Sequence, residues 1–230
     1  MERLDKIISE AGLCTRRECD RLARRGLIKV DGLIVRDSSK KVIDSAEIEL
    51  DGQIVERRRR IVCIMNKPAG FVTSTADDRS RTVMELLPQN LLRQLVVPAG
   101  RLDKDTEGLL VFTNDGDLLH RLISPKSGVS KTYYVEYEGS LVPDAIGIAR
   151  SGVTLRDGTV CKSAGLELLG EGRCLIRITE GMYHQVKRMV AALGAHVTHL
   201  RRTQIGRLSL GDLGPGEVRE LPEEEIRNLF

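Results

Sequence analysis

Over the first 60 residues apolar positions recur first at helical spacing and then in alternation. Leu4, Ile7, Ile8 and Ala11 fall at i, i+3, i+4 and i+7, and Gly12 ends the run, which predicts a helix over residues 3–11. Thr15, with Glu18 three residues on, carries a capping-box signature for a second helix reaching about Arg25. Ile28-Lys29-Val30 and Leu33-Ile34-Val35 flank Asp31-Gly32, a hairpin signal, and short strands are expected around Val42-Ile43 and Ile48-Leu50.

Beyond residue 60 the apolar runs lengthen. Ile61 to Met65 predicts a buried strand that breaks at Lys67-Pro68. Thr82 is placed to cap a short helix over Val83, Met84, Leu86 and Leu87. A charged loop bounded by Gly100 and Gly108 runs into an apolar strand ending at Asn114-Asp115-Gly116. A helix through Ile123 should then be capped by Thr113 or Asn114, with Leu118, Leu119, Leu122 and Ile123 inward. Lys131 to Glu138 alternates, with Tyr133, Val135 and Tyr137 on one face. A short helix over 143–150 and long strands over Val160–Leu169 and Cys174–Thr179 follow. After Gly181, Val186, Met189, Val190 and Leu193 form one helical stripe and leave His184, Lys187 and Arg188 on another side. A basic strand over 199–206, a turn at Gly214 to Glu217 and a closing helix over Glu223–Leu229 complete the chain. The expected fold class is α+β: a small module over 1–56, a basic linker over 57–60, and a larger, mainly antiparallel sheet domain with flanking helices over 61–230.

Charge sharpens this division. Residues 1–60 hold 15 Lys and Arg against 12 Asp and Glu, whereas the rest is balanced at 21 each, so the whole net charge of +3 lies in the first segment. The second helix carries Arg16, Arg17, Arg21, Arg24 and Arg25 against Glu18 and Asp20, a face suited to a polyanion. The five cysteines are scattered, with neither a Cys-x-x-Cys pair nor a histidine at zinc spacing, so reduced thiols and no metal site are expected. The amino terminus is charged and no apolar run is long enough to cross a bilayer, which predicts a cytoplasmic, membrane-free monomer.

The loop at 100–108 concentrates the candidate chemistry. It sets Asp103, Asp105 and Glu107 beside Arg101 and Lys104, so acid, base and ion-pair roles are all available from one segment. Taken singly, each carboxylate reads as an ordinary solvated loop residue. A glycoside hydrolase would need two carboxyls about 5–10 Å apart in an aromatic-rich cleft, and aromatics make up only 3% of this chain.

The run GRLDKDTEGLLVFTNDG resembles the central motif of the pseudouridine synthases, in the branch that modifies ribosomal RNA. Asn66-Lys67-Pro68, Lys131-x-Tyr133, Gly181-x-Tyr-His-Gln-Val-Lys-Arg-Met189 and the strand from His199 are similar to that family's other motifs, and residues 2–55 resemble an S4 RNA-binding module. The resemblance implies that Asp103 is the catalytic nucleophile, attacking either C6 or C1′, that Tyr133 packs on the target base, that Lys187 sits beside the catalytic carboxylate, and that Leu200 lines the pocket. Arg101 would fill the space left by an everted base or hold the adjoining phosphate, while Arg16, Arg17 and Arg188 would contact RNA. No cofactor is implied, since the isomerisation needs neither redox nor metal help. The details of the runs at 184–189 and 215–221 look most like enzymes of small-subunit ribosomal RNA, acting on RNA alone or on an assembling subunit. The alternatives are a large-subunit enzyme of the same branch and a non-catalytic RNA-binding or ribosome-assembly protein.

Overall fold

The computed structural model describes residues 1–56 and 59–229, so Arg57 and Arg58 of the expected linker lie outside the described residues. The chain divides into two compact units, Met1–Arg59 and Arg60–Phe230.

The first unit contains β1 (Glu2–Arg3), α1 (Leu4–Glu10), α2 (Arg16–Arg24), β2 (Ile28–Val30), β3 (Leu33–Ile34), β4 (Lys41–Val42), β5 (Ile48–Leu50) and β6 (Gln53–Ile54). The capping box forms: the Thr15 side chain accepts from the Glu18 N–H, and the Glu18 carboxylate accepts from the Thr15 N–H at 2.8 Å. Asp31 and Gly32 both take positive φ, as a two-residue hairpin turn requires. The antiparallel sheet runs β3-β2-β5-β6. Its core joins Leu4, Ile7 and Ile8 of α1 to Cys19 and Ala23 of α2 and to Ile28 and Ile48 of the strands. The strand expected at Val42-Ile43 is displaced by one residue, because Lys41 and Val42 pair with β1 and leave Ile43 exposed.

The second unit is built on a sheet ordered β11-β12-β10-β13-β9-β7-β15. In chain order its elements are β7 (Val62–Lys67), α3 (Gln89–Arg93), β8 (Val97–Pro98), β9 (Glu107–Thr113), α4 (Gly116–Ile123), β10 (Lys131–Gly139), α5 (Ala145–Ser151), β11 (Gly165–Gly170), β12 (Arg173–Ile178), α6 (Gln185–Ala192), β13 (Ala195–Ile205), β14 (Leu208–Ser209), β15 (Val218–Glu220) and α7 (Glu223–Arg227). β7 and β9 are apolar at nearly every position because both faces are covered. Cys63, Met65, Leu110 and Phe112 pack with α6 and α5 residues on one side. Val62, Ile64, Leu109 and Val111 pack with Leu122, Ile205 and Leu229 on the other. Among the described residues all the strand pairs are antiparallel except β9 with β13, where Glu107 and Gly108 lie in register with Arg201 and Arg202. A Cβ at Gly108 would stand 2.2 Å from the Arg202 carbonyl oxygen, so only glycine permits this approach.

Four expectations need correction. Residues Val83–Leu86 form a 3-10 turn rather than an α-helix, and α3 and β8 follow it unannounced. Asp115, not Thr113 or Asn114, caps α4, accepting from the N–H groups of Asp117 and Leu118. Thr113 and Asn114 are otherwise engaged, bonding the backbone of Ile61. Ile123 is not inward but 46% exposed. The strand expected from Val160 begins only at Gly165, because Val160 is exposed and makes a single bridge to Thr154.

Candidate active site

The loop preceding β9 is fixed from below by a lysine. Lys67, at the end of β7, is fully buried, and its ammonium donates to the carbonyl oxygens of Thr106 (2.7 Å), Pro68 (3.1 Å) and Lys104 (3.3 Å). Burial lowers its pKa to about 8, against the opposing pull of Asp105, Glu107 and Asp103 and with a further push from the Arg202 charge. The same loop is pinned where the Gly70 N–H donates to Lys104 O at 2.7 Å and where Thr73 Oγ1 and Leu102 exchange two bonds, at 2.9 and 3.1 Å. Backbone geometry at Asp103 is thereby set before any side-chain contact is made.

A cavity of about 980 Å³ opens above this loop. Asp103, Arg101, Tyr133 and Leu200 all line it, so four of the expected site residues converge. Tyr133 and Leu200 are buried in its wall, and Arg101 is exposed. The Asp103 side chain is 29% exposed, with Oδ2 3.6 Å from Lys187 Nζ and Oδ1 3.5 Å from His184 Nε2. Neither distance is that of a good charge-assisted hydrogen bond. The carboxylate is held by nearby positive charge while its lone pairs stay open towards the cavity.

Lys187 does not belong to Asp103 alone. Its tight bond, 2.6 Å, goes to Asp105 Oδ1, and that bond holds the Asp105 carboxyl below its usual range. One ammonium therefore bridges two loop carboxylates. Glu107 faces elsewhere, 3.1 Å from His199 Nε2.

Other expected contacts fall outside the cavity. Arg188 pairs with Asp157 and donates to the Tyr183 carbonyl. In the first unit Arg16 bonds both oxygens of Asp5 at 3.2 Å, beside Arg3. Burial pushes the Asp5 carboxyl up, and the bonds from Arg3 and Arg16 overcome that push, so its pKa ends below the usual value. Arg17 is exposed and lines a groove with Arg3, Arg21 and Asp37.

Three residues of the site were not anticipated in these positions. Lys67 reads from the sequence as a strand stop within the Asn66-Lys67-Pro68 motif, and neither feature assigns it to the Asp103 loop. His184 takes φ 49° at the start of α6 and faces Asp103, with the exposed Tyr183 ring stacked on it at 3.8 Å. Arg202 is 2% exposed and donates from Nε to Leu109 O at 2.8 Å; a basic strand said nothing of which arginine turns inward. No group of three His, Cys, Asp or Glu residues suited to a metal ion occurs among the described residues, and none of their helices is long and apolar enough to cross a membrane.

The RNA pseudouridylate synthase model matches residues 61–192, and the S4 domain model matches residues 2–48. An uncharacterized RNA pseudouridine synthase of Bacillus subtilis is 42% identical over 99% of this chain and 98% of its own. The ribosomal small subunit pseudouridine synthase A of Escherichia coli is 39% identical over 99% of both chains, and the ribosomal large subunit pseudouridine synthase B of B. subtilis is 36% identical over 100% and 96%. A crystal structure of a pseudouridylate synthase superposes over the full length of both chains with a TM-score of 0.72 and 35% identity. With its sheet, its central loop and its amino-terminal helices each accounted for, the chain belongs to the RNA pseudouridylate synthase family and carries an S4 domain at its amino end.

Proposed function

We propose that this enzyme isomerises a uridine of small-subunit ribosomal RNA, with Asp103 as nucleophile. The single observation that carries the reading is a half-open carboxylate on a cavity wall, flanked by two potential cations and facing the same space as a buried tyrosine. In the reaction the C1′–N1 bond breaks, the ring turns, C5 bonds to C1′, the C5 proton leaves and N1 regains a proton. A carboxylate attacking the substrate serves this chemistry, and Lys187 Nζ, 3.6 Å from Asp103 Oδ2, sets an ammonium beside it.

A paired uridine is out of reach, so the base must be everted at a cost of a few kcal/mol. A cavity of about 980 Å³ has room for a nucleotide, and Tyr133 supplies an aromatic wall for the pyrimidine, a contact worth about 1–3 kcal/mol where bases stack on aromatic rings. Arg101, exposed at the edge of the site, serves the vacated stack or the neighbouring phosphate. Arg17 and Arg21 of the S4 domain then contact the RNA backbone. All five cysteines are free thiols, in keeping with a reducing cytoplasm. Identity of 39% to the small-subunit enzyme, against 36% to the large-subunit enzyme, supports the small-subunit target.

Mapping pseudouridine in both ribosomal RNAs from cells with and without the gene tests target and activity together. One site should vanish from the small-subunit RNA; loss from the large-subunit RNA instead would move the assignment to the sister activity. Asp103→Asn should bind the RNA normally and modify nothing, and full activity in that variant would end the proposal.

A further inference from the structure

The inner wall of the cavity carries a charge apart from the Asp103 and Lys187 pair. Arg202 lies on β13 with only 2% of its surface exposed, yet no carboxylate pairs with it among the described residues. Nε donates to Leu109 O at 2.8 Å, Nη1 reaches Tyr133 Oη at 3.5 Å, and Nη2 is buried with no hydrogen-bond partner among the described residues. Buried donors are nearly always satisfied, and a buried guanidinium without a counter-charge costs several kcal/mol. Two more cations stand near. Lys131 also lines the cavity, and burial together with the Arg202 charge lowers its pKa, while Lys67 is lowered in the same sense. The wall around Tyr133 therefore holds, beside Lys131, a buried guanidinium that no carboxylate of the described residues pairs with.

We propose that Arg202 Nη2 donates a hydrogen bond to a carbonyl oxygen of the everted pyrimidine and stabilises the negative charge that the ring carries while it is detached. This rests on the reading of the cavity as a uridine pocket. When the C1′–N1 bond breaks, its electron pair passes into the ring and spreads over O2 and O4; it is used again when C5 bonds to C1′. Attack at C6 instead would place negative charge on C5 and O4, so O4 carries charge on either route. Arg202 remains protonated throughout and exchanges nothing. Its fixed donor meets charge that is largest between the two bonded states, the condition under which a single preorganised donor contributes most to rate. The close approach at Gly108 holds this strand in place, since Arg202 itself is the residue in register with it.

The experiment compares transcripts of the modified RNA segment carrying either uridine or 5-fluorouridine at the target. Fluorine makes the ring a better carrier of negative charge, so dependence on Arg202 should shrink. Arg202→Met is expected to slow single-turnover consumption of uridine about 100-fold with RNA affinity within about threefold, and to slow consumption of 5-fluorouridine at least about tenfold less. Arg202→Lys, which keeps a cation, should recover part of the rate and serves if the methionine variant fails to fold. Equal slowing on both transcripts, or loss of affinity in place of rate, would overturn the proposal and leave Arg202 a packing residue. If the wild-type enzyme modifies neither transcript, the uridine-pocket reading itself has failed.

Discussion

A lysine with no solvent exposure is costly unless its charge is answered, and Lys67 answers it with three backbone carbonyls of the loop that carries Asp103. Its pKa near 8 against a usual 10.5 has a consequence for stability. Below pH 8 the lysine is protonated in the native and unfolded states alike, and stability is independent of pH through this group. Between 8 and 10.5 the native state releases the proton while the unfolded state keeps it. The unfolded state then binds more protons, and stability attributable to Lys67 rises with pH, by up to about 1.4 kcal/mol per unit. Urea unfolding of wild type and Lys67→Met from pH 7 to 10 should therefore give a difference that grows in favour of wild type above pH 8. A difference that stays level would mean the ammonium is not desolvated. Lys187 is the contrasting case. It is partly exposed and bridges Asp105 and Asp103, a position from which it steadies the Asp103 carboxylate without forming a short bond that would occupy it.

Among the elements the parallel pairing of β9 with β13 does most to assemble the site, because it sets the strand that follows the Asp103 loop beside the strand bearing Leu200 and Arg202. Gly108 is its tightest point, at φ 101° with the Arg202 carbonyl in the space a Cβ would need. Gly108→Ala should lower stability by about 3 kcal/mol or more, since it adds an unfavourable φ to a backbone collision. A shift under about 1 kcal/mol in urea unfolding would mean that the two strands stand further apart. This pairing joins residues nearly 100 positions apart and left no trace in local pattern. What local pattern did carry was read well: the double-sided apolar runs of β7 and β9, the alternation around Tyr133, the stripe of α6 and the capping box at Thr15. The misreadings have tertiary causes. Three cap-competent residues stand in a row at 113–115, and only the bonds of Thr113 and Asn114 to Ile61 leave the role to Asp115. Asp103, Tyr133 and Leu200 were legible through their motifs; the inward turn of Arg202 and the sharing of Lys187 between two carboxylates depend on contacts that spacing does not encode.

For the molecule as a whole, charge and chemistry are divided between the units. The formal excess of +3 lies in residues 1–60, while the site occupies the electrically balanced remainder. Within α2 the arginines have different tasks. Arg16 holds the buried Asp5, and Arg24 pairs with Asp20 at 2.8 Å. Arg17 has no ion pair among the described residues, and Arg21 only a long contact to Glu18 at 4.0 Å, so these two, with the exposed Arg25 at the helix end, are able to exchange counterions for phosphates. Replacing both Arg17 and Arg21 by Ala should weaken RNA binding and flatten the plot of log affinity against log salt by about 1.5, two phosphate contacts' worth, with the rate on bound RNA preserved. Arg16→Ala should behave otherwise. It strips one partner from a carboxylate that burial already disfavours, so the first unit should lose stability, most clearly at neutral pH where Asp5 is ionised. Filter binding across a salt series separates the two effects. An unchanged slope in the Arg17 and Arg21 double variant would assign those arginines to a solvated face and move the phosphate contacts to another part of the chain.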